Sequence, residues 1–380
     1  MKWDKVEFND VLEKIVGGGT PSKTVSDYWN GDIPWCSVKD MVGDKYQLYS
    51  TEDTITHSGL ENSSSNLIPA GTVITSTRMG LGRAFINKVD MAINQDLKAL
   101  IPNERIDNKF MLWAIVNKKV EIESLGIGST VKGIRLEVLR GLKINLPPLS
   151  TQRHIASILS AYDDLIENNL KRIKLLEEKA FVSYKLLVKS EKFKLEEFYN
   201  TSSGGTPSRT NAEYFTGEIN WFKSKELADS ILLESEEKIT EQAVDKSSAK
   251  LFPAGSVIMA MYGATIGKLG LLSQPSSTNQ ACCAIIEKDE IKSNYYILNW
   301  LIENREYILS FRMGAAQENI SQQIIRNLLV SIPKDKDLIF FNQEMKPIYH
   351  LIKNIHHQNT LLREARDILL PKLMNGQIKV

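Results

Sequence analysis

The sequence predicts an α+β protein made of two pseudo-repeated α/β domains, separated by two long helices that pair as an antiparallel coiled coil. Three observations predict this fold: an opening phrase occurs twice, further phrases recur in the same order, and each copy ends in a heptad pattern. The first phrase, "GGTPSKTVSDYWNGDIPW", begins at Gly18, and its partner, "GGTPSRTNAEYFTGEINW", begins at Gly204, a shift of 186 residues.

Each copy contains strand-like and helix-like segments in the same order. The phrase "LIPAGTVI" at Leu67 returns as "LFPAGSVI" at Leu251, and "GSTVKGIRLEVLRGLKINLP" at Gly128 returns as "GAAQENISQQIIRNLLVSIP" at Gly314. The runs "GTVITST" and "GSVIMAMYG" are rich in apolar and β-branched residues, which is typical of strands. The runs "NKFMLWAIVNKKVEIESL" and "SNYYILNWLIENREYILSF" have helical spacing. Each copy is therefore α+β.

A long helix follows each copy. Prolines in "LPPLSTQ" (146–152), with Ser150 or Thr151 as N-cap, signal a helix start. Seam residues then recur at alternating steps of three and four, which is the mark of a coiled coil. One such pattern alone is more typical of a packed core helix, but two matching seams favour pairing with each other. The first seam contains Leu159, Tyr162, Ile166, Asn169, Ile173 and Leu176, and the second contains Met345, Ile348, Ile352, Ile355, Asn359 and Leu362.

The two seams suggest a register. An antiparallel pair with Asn169 opposite Asn359 places Ile173 opposite Ile355. A polar residue in a seam commonly fixes register at some cost in stability. We therefore expect the two asparagines to meet.

Composition narrows the class of protein. The chain has 380 residues, 42% hydrophobic and 24% charged, with a net charge of +1. No apolar segment resembles a secretory leader or a membrane span, and three cysteines give no disulfide framework, so we expect a cytoplasmic protein. Nucleic-acid binding would have to rest on local basic patches or on a partner, because a basic surplus is absent.

Two similar domains, related by a pseudo-two-fold axis and held apart by an antiparallel coiled coil, would match the symmetry of an inverted, split site on duplex DNA. With its twin "GGTPS…W" phrases, its "PPL…Q" lead into a helix and its two seams, the chain resembles the specificity subunit of type I restriction–modification systems over its full length. The resemblance implies a target recognition domain at 1–150, a central spacer helix at 151–190, a second recognition domain at 191–333 and a C-terminal spacer helix at 334–380. One departure is the second lead-in, "IPKDKDLIFFNQ", which has one proline and a displaced Gln343.

The resemblance also implies function. Each recognition domain would read half of a bipartite double-stranded DNA target, and the coiled coil would set the gap. The chain itself would be non-catalytic and bind no cofactor or metal. It would recruit two methyltransferase subunits, which bind S-adenosylmethionine and modify one adenine in each half-site. Where a system has two restriction subunits, these would add ATP- and Mg-dependent cleavage.

Candidate DNA contacts are polar residues in loops at strand ends, because Arg, Lys, Asn and Gln read base edges and basic groups hold phosphates. Shared basic positions suit phosphate contact, whereas unduplicated positions such as Arg78 suit base readout. For each of them a solvated surface role is an equal alternative. The candidates are Lys39, Arg78, Arg83, Lys132 and Arg135 in the first copy, and Lys223, Lys225, Tyr262, Lys268, Gln317 and Asn319 in the second.

Other chemistry finds little support. "GATIGKL" at Gly263 resembles a phosphate-binding loop, but it has three residues between its glycines and Leu269 where Ser or Thr is needed, so a turn at a strand end is the better interpretation. Two alternative functions remain open: a non-DNA scaffold whose twin domains bind peptides or carbohydrates, and an enzyme with an unrecognised site.

Overall fold

The computed structural model of the chain describes residues 3–41, 43, 45–128, 132–314 and 318–380. Two compact units divide it: the first unit contains Met1–Glu167 and Leu361–Val380, and the second contains Asn168–Thr360. Each unit thus takes its α/β domain from one copy of the repeat and helical segments from both long helices. Among the described residues, no helix is both long and apolar enough to span a bilayer.

Among the described residues of the first unit, the α/β domain has three sheets. Their strand orders are β1-β11, β2-β10-β7-β8-β4 and β5-β3-β9-β6. The strands are β1 (Asp4–Glu7), β2 (Leu12–Gly17), β3 (Trp29–Cys36), β4 (Gln47–Leu48), β5 (Asp53–Ile55), β6 (Leu67–Ile68), β7 (Val73–Ser76), β8 (Ala84–Asn87), β9 (Met91–Ile93), β10 (Leu97–Pro102) and β11 (Lys143–Leu146). The helices are α1 (His57–Glu61), α2 (Asn108–Asn117), α3 (Lys119–Ser124), α4 (Leu136–Arg140) and the start of α5 (Leu149–Lys185).

The second unit repeats these sheets, with strand orders β12-β21, β13-β20-β17-β18-β15 and β16-β14-β19. The strands are β12 (Lys189–Lys194), β13 (Tyr199–Ser203), β14 (Ile219–Phe222), β15 (Ser230–Leu232), β16 (Lys238–Ile239), β17 (Val257–Ala260), β18 (Leu269–Leu272), β19 (Ser277–Thr278), β20 (Cys282–Glu287) and β21 (Leu329–Pro333). The helices are α6 (Leu195–Phe198), α7 (Glu241–Asp245), α8 (Asn294–Glu303), α9 (Arg305–Leu309), α10 (Gln322–Arg326) and α11 (Asp335–Met374), which ends in the first unit.

The duplicated opening phrase is structural. A Cβ atom on Gly18 would lie 1.9 Å from the Ile93 carbonyl oxygen, and one on Gly205 would lie 2.0 Å from the Ser248 carbonyl oxygen. Only glycine fits such close backbone approaches. The indole Nε1 of Trp35 donates to the Gly19 carbonyl at 2.9 Å, and Trp221 makes the same bond to Gly205 at 2.9 Å. Both tryptophans are buried. The phrase therefore recurs because it makes the same buried turn in each domain.

The lead-in to each long helix is fastened to the domain by a side-chain amide. In the first unit the buried Gln152 accepts from the Asp107 backbone N–H at 2.7 Å and donates to the Arg105 carbonyl at 3.0 Å. In the second unit Asn342 donates to the Ile291 carbonyl at 2.8 Å and accepts from Ser293 Oγ. Asn342, one helical turn beyond the position equivalent to Gln152, therefore makes the fastening bonds of the second lead-in, and the displaced Gln343 does not.

Seam residues of both long helices meet in the second unit. In the second unit, Ile173 shares one buried core with Ile352 and Ile355. Asn169 Nδ2 donates to Asn359 Oδ1 at 2.9 Å, and both side chains are buried. This is the hydrogen bond that the antiparallel register requires.

In the first unit, the two long helices are joined by a buried ion pair that the seam pattern does not predict. Arg366 is fully buried, and its Nη1 lies 2.6 Å from Asp163 Oδ1. The guanidinium also lies over the ring of Tyr46, 4.8 Å from its centroid. By the repeat, the equivalent positions of the second unit hold Tyr349 and Ala180, so the charge is present in one unit and absent from the other.

The end of α5 is held to α8 by Glu303. This carboxylate accepts hydrogen bonds from Tyr184 and Lys185, and from Lys189 Nζ at 2.9 Å. Burial alone would raise the pKa of Glu303, but the hydrogen bonds from Lys185, Tyr184 and Lys189 outweigh it and lower the pKa to about 2.

A depressed carboxyl pKa stabilises the folded state above the unfolded pKa, about 4.3, and this stability is lost as the pH falls toward 2. We therefore expect the second unit to lose about 2–3 kcal/mol between pH 5 and pH 2 through Glu303 alone. Urea unfolding of wild type and Glu303→Gln at pH 7 and pH 3 measures this contribution. The variant should be less stable at pH 7, and the difference should shrink at pH 3.

The exposed Glu306 on the neighbouring helix gives a matched control. Glu306→Gln should match wild type at both pH values. If Glu303→Gln kept the same deficit at pH 3 as at pH 7, its effect would not come from the carboxylate charge.

Candidate nucleic-acid interface

In the first unit, the turn after β7 and the segment between α3 and α4 form one loop cluster, which contains Arg78, Met79, Ile127, Lys132 and Arg135. Met79 N donates to the Lys132 carbonyl at 3.2 Å. Ile127 and Gly133 exchange two backbone hydrogen bonds, of 2.9 and 3.0 Å. Met79 has a positive φ of 56°, and Ser76 Oγ donates to its carbonyl at 3.0 Å. A non-glycine residue in this conformation must be held by its surroundings. The turn is therefore anchored on both sides.

The second unit has a matching loop cluster, which contains Tyr262, Arg312, Met313, Glu318 and Asn319. Met313 and Asn319 exchange backbone hydrogen bonds of 2.9 and 2.8 Å, and Gly263 N donates to the Glu318 carbonyl at 3.2 Å. Tyr262 bridges to Asn319 as Arg78 bridges to Gly133. The two units therefore place different side chains on the same backbone framework.

The predicted contacts Arg78, Lys132 and Arg135 come together in the first loop cluster, and all three are exposed. Arg78 Nη1 lies 3.7 Å from Asp96 Oδ1, and that carboxylate is mostly buried. The acidic partner can orient the guanidinium while leaving donors free, since guanidinium carries five N–H groups. Tyr262 and Asn319 belong to the second loop cluster, whereas Gln317 lies outside the described residues.

Three predicted lysines sit elsewhere in the domains. Lys39 is exposed on a short 3-10 helix, Val38–Asp40, and Lys225 occupies the same place at Ser224–Glu226. Lys225 Nζ lies 2.6 Å from Glu236, and this hydrogen bond lowers the pKa of Glu236. Lys223 is more deeply held, 2.6 Å from Glu237 and with only 18% of its side chain exposed. Lys223 therefore serves the fold of its loop.

Two further candidates are engaged by the protein itself. Arg83 is half-buried and its Nη1 donates to the Met41 carbonyl at 2.6 Å, which fastens the segment after β3 to β8. Lys268 Nζ lies 2.9 Å from Asp229, and Asp229 also forms an ion pair with Arg305. Burial would raise the pKa of Asp229, but the bonds from Arg305, Lys268 and the Leu269 N–H lower it. A phosphate would have to compete with these internal partners.

Sequence reasoning missed three exposed side chains of the loop clusters: Met79, Ile127 and Met313. Ile127 and Met313 hold equivalent places in the repeat, so a search for apolar residues in otherwise polar repeat loops could have found them. Arg312 was also missed, and its Nη1 lies 2.8 Å from Glu318.

Two kinds of reactive site, a metal cluster and an activated thiol, are relevant to catalysis among the described residues. No group of three or more His, Cys, Asp or Glu in this part of the chain could hold a metal ion. Burial raises the pKa of the Cys282 and Cys283 thiols to about 12, which opposes a thiolate nucleophile. The segment at Gly263 is a turn that leads into β18, in agreement with its interpretation as a strand-end turn.

Comparison with known proteins agrees with the duplicated design. The family model described as "Type I restriction modification DNA specificity domain" matches residues 1–178 and again 188–366. The chain is 27% identical over 407 residues to the type I restriction enzyme MjaIX specificity subunit of Methanocaldococcus jannaschii, covering 100% of this chain and 94% of that protein. It is 36% identical over 200 residues to a type I restriction enzyme specificity subunit of Escherichia coli, covering 49% of each.

The solved structure of a type I restriction–modification S subunit from M. genitalium has the same fold. It aligns with a TM-score of 0.59 at 14% sequence identity, covering 98% of this chain and 96% of that one. With two matches of the family model in nearly the whole sequence, the chain belongs to the type I restriction–modification DNA specificity family and carries its domain twice.

Proposed function

We propose that this chain is the DNA specificity subunit of a type I restriction–modification enzyme in the cytoplasm. Each unit reads one half of a bipartite target, and the paired helices α5 and α11 set the gap between the halves. The chain is non-catalytic, and S-adenosylmethionine is bound by the methyltransferase subunits that it recruits.

The observation that carries this proposal is the matched pair of loop clusters. Both are built on the same backbone bridges, yet Arg78 in one corresponds to Tyr262 in the other. A shared scaffold with different polar side chains is what two heads that read different base sequences require. Twin domains that bind the same peptide or sugar would have no reason to differ there.

Recruitment of two identical subunits finds support on the long helices. Both units expose the same apolar set outside the seam, at positions that the repeat makes equivalent. A partner subunit that packs on such a set would find it once in each unit, which fits two copies of one methyltransferase. The set contains Leu165, Leu361 and Ile368 in the first unit, and Leu351, Leu175 and Val182 in the second.

Filter binding of the purified chain, with and without the methyltransferase partner, tests the proposal. We expect sequence-specific binding that weakens with salt, and tighter binding in the complex, because the net charge of +1 gives the chain alone little phosphate neutralisation. Methyl transfer by the chain alone would show that it is an enzyme. Equal binding to all DNA sequences would contradict a specificity function.

Lengthening the helices tests the division of labour. Insertion of one heptad into each of α5 and α11, beside the Asn169–Asn359 pair, preserves the seam and adds about 10 Å of helix, or about three base pairs. We expect the methylated sites to keep both half-sites and to gain a gap about three base pairs longer. Sequencing of adenine methylation in cells that carry the variant measures this. Altered half-site bases would contradict the separate roles of helices and loops.

A further inference from the structure

Each loop cluster exposes a large apolar side chain to solvent at the same place in the repeat, and such exposure is unfavourable in water. Ile127 is 72% exposed and Met313 is 63% exposed. Both lie on the same backbone bridge of their units, since Ile127 pairs with Gly133 and Met313 pairs with Asn319. The structure thus repeats an exposed apolar position, although the residue itself changes from isoleucine to methionine.

The neighbours of these side chains are polar and basic. Gly133 also bridges to Arg78, and Asn319 also bridges to Tyr262, so each apolar side chain lies one bridge away from a candidate base-reading residue. The first loop cluster adds Lys132, and the second adds Arg312, which is paired with Glu318 at 2.8 Å. An apolar side chain among basic and hydrogen-bonding groups is complementary to a binding partner whose surface is charged and carries single apolar groups.

The major groove of DNA is such a surface. Its base edges present donors and acceptors, and its one apolar group is the 5-methyl group of thymine. The β-branched Ile127 has few side-chain rotamers, so it loses little freedom when it packs on a methyl group. Met313 is unbranched and polarisable, so it can fit a differently placed methyl group.

We propose that Ile127 and Met313 are specificity-determining residues, each packing against the 5-methyl group of a thymine in the half-site that its unit reads. This inference rests on the DNA-reading function proposed above. It assigns apolar readout to the clusters beside the polar readout of Arg78 and Tyr262. The change from isoleucine to methionine then contributes to the difference between the two half-sites.

The test uses DNA that lacks single methyl groups. The half-sites are first mapped by sequencing adenine methylation, and each methylated adenine guarantees at least one thymine in its half-site. Each thymine is then replaced by uracil, which pairs identically but lacks the 5-methyl group. Dissociation constants are measured for the complex of the chain with its methyltransferase subunits.

For wild type we expect uracil to weaken binding about fourfold at one position in each half-site, the factor for one buried methyl group. Ile127→Ala should abolish the sensitivity in one half-site only, and Met313→Ala should abolish it in the other only. Val120→Ala in the first unit and Leu251→Ala in the second, both exposed apolar residues outside the clusters, should leave the sensitivity unchanged.

Two results would overturn the proposal. Wild type could bind every uracil-substituted site as tightly as the thymine site, or the two variants could keep the full sensitivity of wild type. Failure of the DNA-reading function would look different, because wild type would then bind target and unrelated DNA equally. An Ile127→Ala chain that misfolds would bind both half-sites more weakly. Comparison with Met313→Ala and with the two control variants identifies that case.

Discussion

Replacing Arg366 by methionine is expected to lower the stability of the first unit by about 3–5 kcal/mol, because Asp163 loses its buried partner. Burial raises the pKa of Asp163 to about 6 even beside Arg366, so without the guanidinium this carboxyl has to take up a proton at neutral pH. The Asp163 side chain is 11% exposed and that of Arg366 only 1%, so water cannot take the place of either partner. Loss of the guanidinium also removes its contact with the Tyr46 ring. Thermal unfolding followed by calorimetry should show a transition shifted down by roughly 10 °C for a unit of this size.

The double variant Arg366→Met, Asp163→Leu separates charge from packing. Replacing a buried pair by apolar residues of similar volume is often neutral or stabilising, so most of the lost stability should return. Arg363→Met, on the same helix and only half-buried, serves as the control and should change little. A double variant as unstable as the single one would show that shape at Arg366 matters more than charge.

The same pair affects which helices can associate. If α5 met the α5 of a second chain in the same antiparallel register, Asp163 would face Ala180 and have no counterion. Two α11 helices would likewise bring Arg366 against Tyr349. A buried unpaired charge is costly, so the ion pair favours the pairing of α5 with α11 of one chain. We expect the apolar double variant to form more dimers than wild type in sedimentation experiments.

The repeat and the seams made most of the fold predictable. Both depend on local pattern: the glycines at 18 and 204 have no space for a side chain, and the seam residues recur at steps of three and four. The Asn169–Asn359 contact followed from the register because both residues lie on the seam. The Asp163–Arg366 pair was not predicted, since Asp163 is a seam neighbour and the Tyr46 ring that contacts Arg366 is far away in the sequence.

The candidate site was less predictable, because a basic residue in a loop has the same local signature whether it meets DNA or a carboxylate. Lys223 and Lys225 face Glu236 and Glu237, more than ten residues further along the chain. Arg83 meets a backbone carbonyl of a different segment. Arg78 and Lys132, in contrast, come together through backbone pairing of distant loops, which residue types alone do not encode.

Under the proposed DNA-reading function, substitution of Arg78 by alanine is expected to weaken binding to the half-site of the first unit by about 1–3 kcal/mol and to relax the base preference at one position. Arginine contacts guanine through two parallel hydrogen bonds, and alanine offers none. The half-site of the second unit should keep its sequence, because Tyr262 occupies the equivalent place there. Competition binding with a library of single-base variants, using the methyltransferase complex, measures both effects.

Lys132 provides the contrast that makes this result interpretable, since its backbone pairs with the same turn that carries Arg78. A lysine that contacts phosphate contributes equally to all sequences, so Lys132→Ala should weaken binding uniformly and reduce the salt slope by about one. Lys14→Ala, exposed on β2 of the same unit, should change neither affinity nor preference. If Arg78→Ala produced the same uniform, salt-dependent loss as Lys132→Ala, Arg78 would be a phosphate contact, and base readout in the first unit would belong to other residues of the loop cluster.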